Sequence, residues 1–329
     1  MTDLNPLPMT LAPADVMRDL ESGRTQPLRP PDRLLSLRAR RRPAAGGPAF
    51  LGAYAAARML GRLHPRLARR WLMRLWLTPW VHRSARRPVI DLPADLRPWS
   101  LAHDGVTLHG FAGGTGPTAV LVHGWAGRAA DWRYLASDLI EAGFRIVAPD
   151  LPAHGATAGR TTDAFTLGRA AAAVLRHERP TAIVAHSMGF PITLLAFDEQ
   201  APPPEVLVAL APGRRMRRAL TRFGDQAKLA PALLDELYLA NQRRFGGDVW
   251  DVLDVDRAVG DLAARGLIVH DGGDEDVPIA DGEHIAAQWA DATFVATEGL
   301  GHRRILRDDA VRRLVVAALR QPLGDHRVA

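Results

Sequence analysis

The 329 residues are 47% hydrophobic and contain no cysteine, enough apolar material for one large core and a composition that excludes a disulfide framework, a thiolate metal site and a thiol nucleophile. The formal net charge of +6 is unevenly placed, with 18 Arg against 7 acidic residues in residues 1–98 and a mildly acidic remainder. No apolar run reaches the roughly 18 to 20 residues that span a bilayer, and the first 20 residues lack the basic leader and apolar block of an exported chain, so a globular protein of the cytoplasm is expected.

Residues 1–49 carry Pro-Pro and Gly-Gly steps with little apolar periodicity, the composition of an extended, partly disordered arm. From Arg33 to Ile90 there are 14 arginines and no Asp or Glu. Residues 50–95 form a basic helical extension, in which "FLGAYAAARMLGRL" predicts one helix and "PRLARRWLMRLWLTPW" a second that opens on Pro65. The second is amphipathic, with Arg66, Arg69, Arg70 and Arg74 on one side and Leu67, Trp71, Leu72, Leu75 and Trp76 on the other. Two uses fit it: its Trp and Leu face packs on the main domain, or residues 50–87 make peripheral contact with a membrane surface.

Residues 96–329 read as a single domain. "WSLAH" and "VTLHGFA" flank Asp104-Gly105, a hairpin signal. Strands at "TAVLVHG", "FRIVAPD", "TAIVAH", "EVLVALA", "GLIVHD" and "ATFVAT" then alternate with helical segments. Several strands are apolar at every position, as parallel strands covered on both faces must be. The expected fold is α/β, a mostly parallel sheet with helices on both faces.

One strand ends on "AHSMG", residues 185–189. A serine in a tight turn at a strand's carboxyl end projects its hydroxyl above the sheet, and the residues two before and two after it must be small because backbone passes close by. A serine hydroxyl is a weak nucleophile at neutral pH, so Ser187 needs a base, an orienting carboxylate and an oxyanion trap. Asp274, four residues before Pro278, and His302, in a Gly-flanked loop, supply the first two. The chain order Ser, Asp, His is that of an α/β-hydrolase sheet. "LVHGWAG" brings the Trp125 amide to pair with the Met188 amide as oxyanion donors. Asp271 and Asp276 flank the acid and read as loop residues. His123, His154, His186 and His270 stand at strand ends and turns, where packing or hydrogen bonding is their expected role. "HDGGDED" lacks the further ligands a cation site needs, so no metal or cofactor is expected, and no motif supports a nucleic-acid partner.

With His123-Gly124-Trp125, "DLPAHG", "AHSMG", "GGDEDVP" and "GLGH" each at the end of the expected strand, residues 99–320 resemble the α/β-hydrolase superfamily. The His-Gly-Trp and Ser-Met-Gly pair is similar to that of its bacterial aryl esterases and cofactor-free perhydrolases. Ala185 and Ala153 stand where Gly is the usual residue. The resemblance implies that Ser187 attacks a carbonyl carbon, that His302 shuttles the proton and that Asp274 orients it. It also implies that residues 213–262 form a helical cap, in which Leu233, Leu237, Tyr238, Phe245 and Trp250 divide between cap core and an apolar acyl pocket. On this fold dehalogenases and epoxide hydrolases use a carboxylate nucleophile, so Ser187 argues for ester cleavage of a small-molecule substrate. Thioesterase or membrane-surface lipid hydrolase activity, and a ligand sensor without catalysis, are the alternatives.

Overall fold

Asp104 and Gly105, both at positive φ (46° and 72°), turn β1 (Leu96–His103) back onto β2 (Val106–Gly113), with His103 facing Val106 across the turn. Two successive left-handed residues match the twist of a two-residue hairpin. The structure is a computed structural model that describes residues 64–79 and 93–320, with Gly52 and Met59. The arm expected at 1–49 and most of the first expected helix lie outside the described residues.

The hairpin joins an eight-stranded sheet of order β1-β2-β4-β3-β5-β6-β7-β8. Its other strands are β3 (Thr118–Val122), β4 (Arg145–Asp150), β5 (Ala182–His186), β6 (Val206–Leu210), β7 (Arg265–Asp271) and β8 (Ala292–Thr297). Pairings from β4 through β8 are parallel, whereas β2 runs antiparallel to β1 and β4. Alternate residues explain the continuous apolar runs. Ala119, Leu121 and Val184 join one buried cluster, with α2 (Arg133–Glu141) and α11 (Asp309–Arg320); Val120, Val122, Ile183 and Ala185 join the other, with α3 (Ala164–Glu178), α4 (Gly189–Asp198) and α9 (Ile279–Gln288). Asp163 caps α3 by accepting the Thr166 amide at 2.9 Å.

Between β6 and β7 stand α5 (Met216–Gln226), α6 (Pro231–Phe245) and two single-turn helices, α7 (Val249–Val252) and α8 (Asp256–Val259). The basic helix α1 (Pro65–Trp76) packs on these cap helices, burying Leu72 and Leu75 with Leu220, Phe223 and Leu237. Arg69 pairs with Glu236 at 3.1 Å, and the Thr162 amide donates to the Leu77 carbonyl at 2.8 Å. Only part of the Trp and Leu face meets protein. Leu67 and Trp71 remain 49% and 45% exposed, because Ala68, Leu72 and Leu75, at i, i+4 and i+7, define the contact stripe and Leu67 and Trp71 point about 100° and about 70° away from its centre.

Candidate active site

β5 ends at His186, and Ser187 follows at φ 54°, a left-handed conformation that costs a non-glycine residue roughly 1 to 2 kcal/mol. The Ser187 amide donates to the Leu210 carbonyl at 2.9 Å, and the Ser187 carbonyl accepts from the Gly213 amide at 3.3 Å, so neighbouring chain holds the turn in place. A Cβ on Gly189 would stand 2.4 Å from the Val122 carbonyl oxygen, and one on Gly124 would stand 2.9 Å from Ser187 Cβ. These two approaches are the reason for the small residues around the serine.

The Ser187 hydroxyl donates to His302 Nε2 at 2.9 Å, and His302 Nδ1 donates to Asp274 Oδ2 at 2.7 Å. His302 lies within a single-turn helix, α10 (Gly301–Arg304), rather than in the loop before one. The Asp274 side chain is fully buried. Its Oδ1 accepts the amides of Asp276 and Val277 at 2.8 and 2.9 Å, and His270 Nε2 lies 3.5 Å from Oδ2. Burial alone raises the carboxyl pKa, but the hydrogen bonds of His270, His302 and Val277 outweigh it and hold Asp274 well below the usual range. Asp271 accepts from the Thr297 hydroxyl and the Leu300 amide, both at 2.9 Å, and from the Gly273 amide at 2.9 Å, which ties the acid's loop to the histidine's. Asp276 is held by Arg222 of the cap. Asp271, Asp274 and Asp276 of "HDGGDED" are therefore engaged by protein groups.

The other histidines shape this site. His123 Nδ1 donates to the Gly124 carbonyl at 2.8 Å while Nε2 accepts the Leu151 amide at 3.0 Å. His154 Nδ1 donates to the Pro152 carbonyl and Nε2 accepts the Ala126 amide, so both rings support the turn that carries Trp125. His186 Nε2 donates to the His302 carbonyl at 2.8 Å. Ala153, at φ 65°, occupies the left-handed position that Gly usually takes in its motif.

Burial lowers His123 to about 4. It lowers His154, with repulsion from His123, to about 3, and places His186 well below its ordinary value. The unfolded chain takes up these protons below about pH 6.5, whereas the folded chain does not. Stability is expected to fall from pH 6.5 towards 4 by about 1.4 kcal/mol per pH unit for each such ring. Urea denaturation at graded pH measures the slope; in His154→Gln it should be shallower, and an unchanged slope would refute the assignment.

The sequence pattern of the Alpha/beta hydrolase family matches residues 119–315, more than half of the chain. The chain belongs to the alpha/beta hydrolase family. An epoxide hydrolase of Caballeronia sordidicola is 29% identical over 65 residues, a stretch spanning 20% of either chain. A candidate lipase, lip1, of Acinetobacter baumannii AYE superposes with a TM-score of 0.51 at 21% identity, over 68% of this chain and 89% of its own. A bacterial membrane phospholipase A superposes with a TM-score of 0.52 at 16% identity, over 82% of this chain and 96% of its own. At these identities the solved structures share the fold.

In this alpha/beta hydrolase, Ser187 and His302 open onto a cavity of about 1410 Å³, with Trp125 and Met188 beside them. Among the described residues, the amides of Trp125 and Met188 donate to no protein acceptor. Of the cap residues named from sequence, Phe245 and Trp250 line the cavity, while Leu237 is buried in the cap core with Leu233 and Tyr238 packed against it. Sequence reasoning missed the rest of the apolar wall: Leu75 and Trp76 of α1, Phe165, Met216 and Phe223. Periodicity marked Leu75 and Trp76 as part of an apolar face; nothing in it marked which faces meet around Ser187.

Proposed function

We propose that this protein is a cytoplasmic, cofactor-independent serine hydrolase that cleaves carboxylic esters through an acyl-enzyme intermediate. The observation that carries this reading is the unbroken chain from Asp274 through His302 to Ser187 Oγ at an apolar cavity. Ser187 Oγ attacks the ester carbonyl as His302 Nε2 takes its proton, and Asp274 stabilises the imidazolium that forms. The oxyanion of the tetrahedral intermediate lies against the Trp125 and Met188 amides, where each donor is worth about 3 to 4 kcal/mol. His302 returns the proton to the leaving alcohol. Water, activated by the same imidazole, then releases the acid. Thioesters fall within this chemistry; the epoxide opening named for the Caballeronia relative does not, because Ser187 takes the place of the carboxylate nucleophile.

The apolar wall of Leu75, Trp76, Phe165, Phe245 and Trp250 supports an acyl chain as the bound part of the substrate. With p-nitrophenyl esters of graded length, kcat/KM is expected to rise about two- to fourfold per added methylene until the cavity fills. A wild type that hydrolyses none of them sinks the ester assignment. Equal rates at every length sink the acyl pocket.

A further inference from the structure

We propose that the outward arc of α1, formed by Arg66, Leu67, Arg70, Trp71 and Arg74, docks the protein on an anionic lipid bilayer. At 3.6 residues per turn these five side chains fall within about 140° of one another, outside the stripe of Ala68, Leu72 and Leu75 that meets the cap, with Trp71 at the edge next to it. All five are exposed. Of the five large apolar side chains exposed among the described residues, three lie between Met59 and Trp71, with Met59 at 68%. Apolar side chains interleaved with arginines suit the boundary between acyl chains and headgroups, where Trp and Leu enter the bilayer and guanidinium groups stay at the phosphates.

Charge selects this occupant over the others. Among the described residues, Arg66, Arg70 and Arg74 have no acidic partner, while Arg69, nearer the cap, is neutralised by Glu236. The surrounding sequence has 14 arginines and no acid from Arg33 to Ile90, so a second copy laid on this arc would bring like charge to like charge. A surface of anionic lipid brings the opposite charge, worth roughly a few-fold in binding for each arginine near it. The arc is also continuous with the cavity: Trp71 and Arg74 line it together with Ser187 and His302. A bilayer on this face would adjoin the entrance used by an acyl substrate. Only that purpose rests on the hydrolase reading; the docking itself does not.

The test uses the full chain with Ser187→Ala, so that binding is read without turnover, sedimented with vesicles of phosphatidylcholine alone or mixed with phosphatidylglycerol. Binding should require phosphatidylglycerol, weaken as salt screens the arginines, and fall about tenfold or more in the double substitution Arg66→Gln/Arg70→Gln. Leu67→Gln should weaken it as well. Neither arginine lines the cavity, so with Ser187 restored the double variant should hydrolyse a short soluble ester at the wild-type rate, which shows that it is folded. If that ester is cleaved by no form of the protein, the hydrolase reading fails and the vesicle result stands. The proposal is overturned by an absence of partition, by equal binding to neutral vesicles, or by binding that the double substitution leaves unchanged. It is equally overturned by concentration-dependent dimerisation that Leu67→Gln abolishes, which would assign the arc to a second copy.

Discussion

Replacing Ser187 with alanine is expected to lower kcat on p-nitrophenyl esters by about 10⁴- to 10⁶-fold, leaving what the oxyanion donors and binding contribute. The backbone makes a second comparison informative. Ser187 sits at φ 54°, held by the Leu210 carbonyl and the Gly213 amide, and alanine at that position keeps the same left-handed strain. Glycine relieves it. Ser187→Gly should therefore be as inactive as Ser187→Ala yet about 1 kcal/mol more stable, as measured by chemical denaturation. A serine that served only to end a strand would have no reason to sit in a strained turn within 2.9 Å of an imidazole nitrogen. Retention of more than about a hundredth of the activity in Ser187→Ala would end the nucleophile assignment.

Much of this was legible in the residues, for reasons that differ from element to element. The strands could be read because runs such as Ala119 to Val122 and Ala182 to Ala185 are apolar at every position, and each run proves to feed two opposite cores in alternation. The Ser, Asp, His order could be read because a parallel sheet brings the carboxyl ends of its strands to one edge. The orientation of α1 could not. An amphipathic pattern says that a helix has two faces, but the arc that meets protein was set by Leu220, Phe223 and Leu237, some 150 residues further along the chain. The same distance hid the cavity wall and the bond from His186 to the His302 carbonyl, which joins residues 116 apart. Single histidines at strand ends announced hydrogen bonding without announcing to what.

Asp274→Asn should lower kcat by about 10⁴-fold while leaving the fold intact. The asparagine oxygen can still accept the Asp276 and Val277 amides that now bond to Oδ1. Its amide nitrogen then faces His302 Nδ1, where the carboxylate accepts a hydrogen bond in the wild type. Two donors cannot share that bond, so the imidazole takes the other tautomer, with the hydrogen on Nε2, and can no longer receive the proton of Ser187 Oγ. The substitution also removes a pH-dependent part of stability. Burial opposes ionisation of Asp274, but the bonds from His270, His302 and Val277 prevail, so its pKa is lower in the folded chain than in the unfolded one. A carboxylate shifted this way stabilises the fold at all pH values above its unfolded pKa near 4 and loses that contribution as pH falls through the folded value. The stability difference between wild type and Asp274→Asn should accordingly be constant from pH 7 to about 5 and shrink below about pH 4. His123 and His154, on which the Asp274 charge has no resolved effect, destabilise both proteins between pH 6.5 and 4 and cancel in the comparison, so urea denaturation of the pair reads this carboxylate together with its smaller effect on His186. A difference that stayed flat through pH 3, or an Asp274→Asn enzyme with near wild-type turnover, would mean that another acid orients His302.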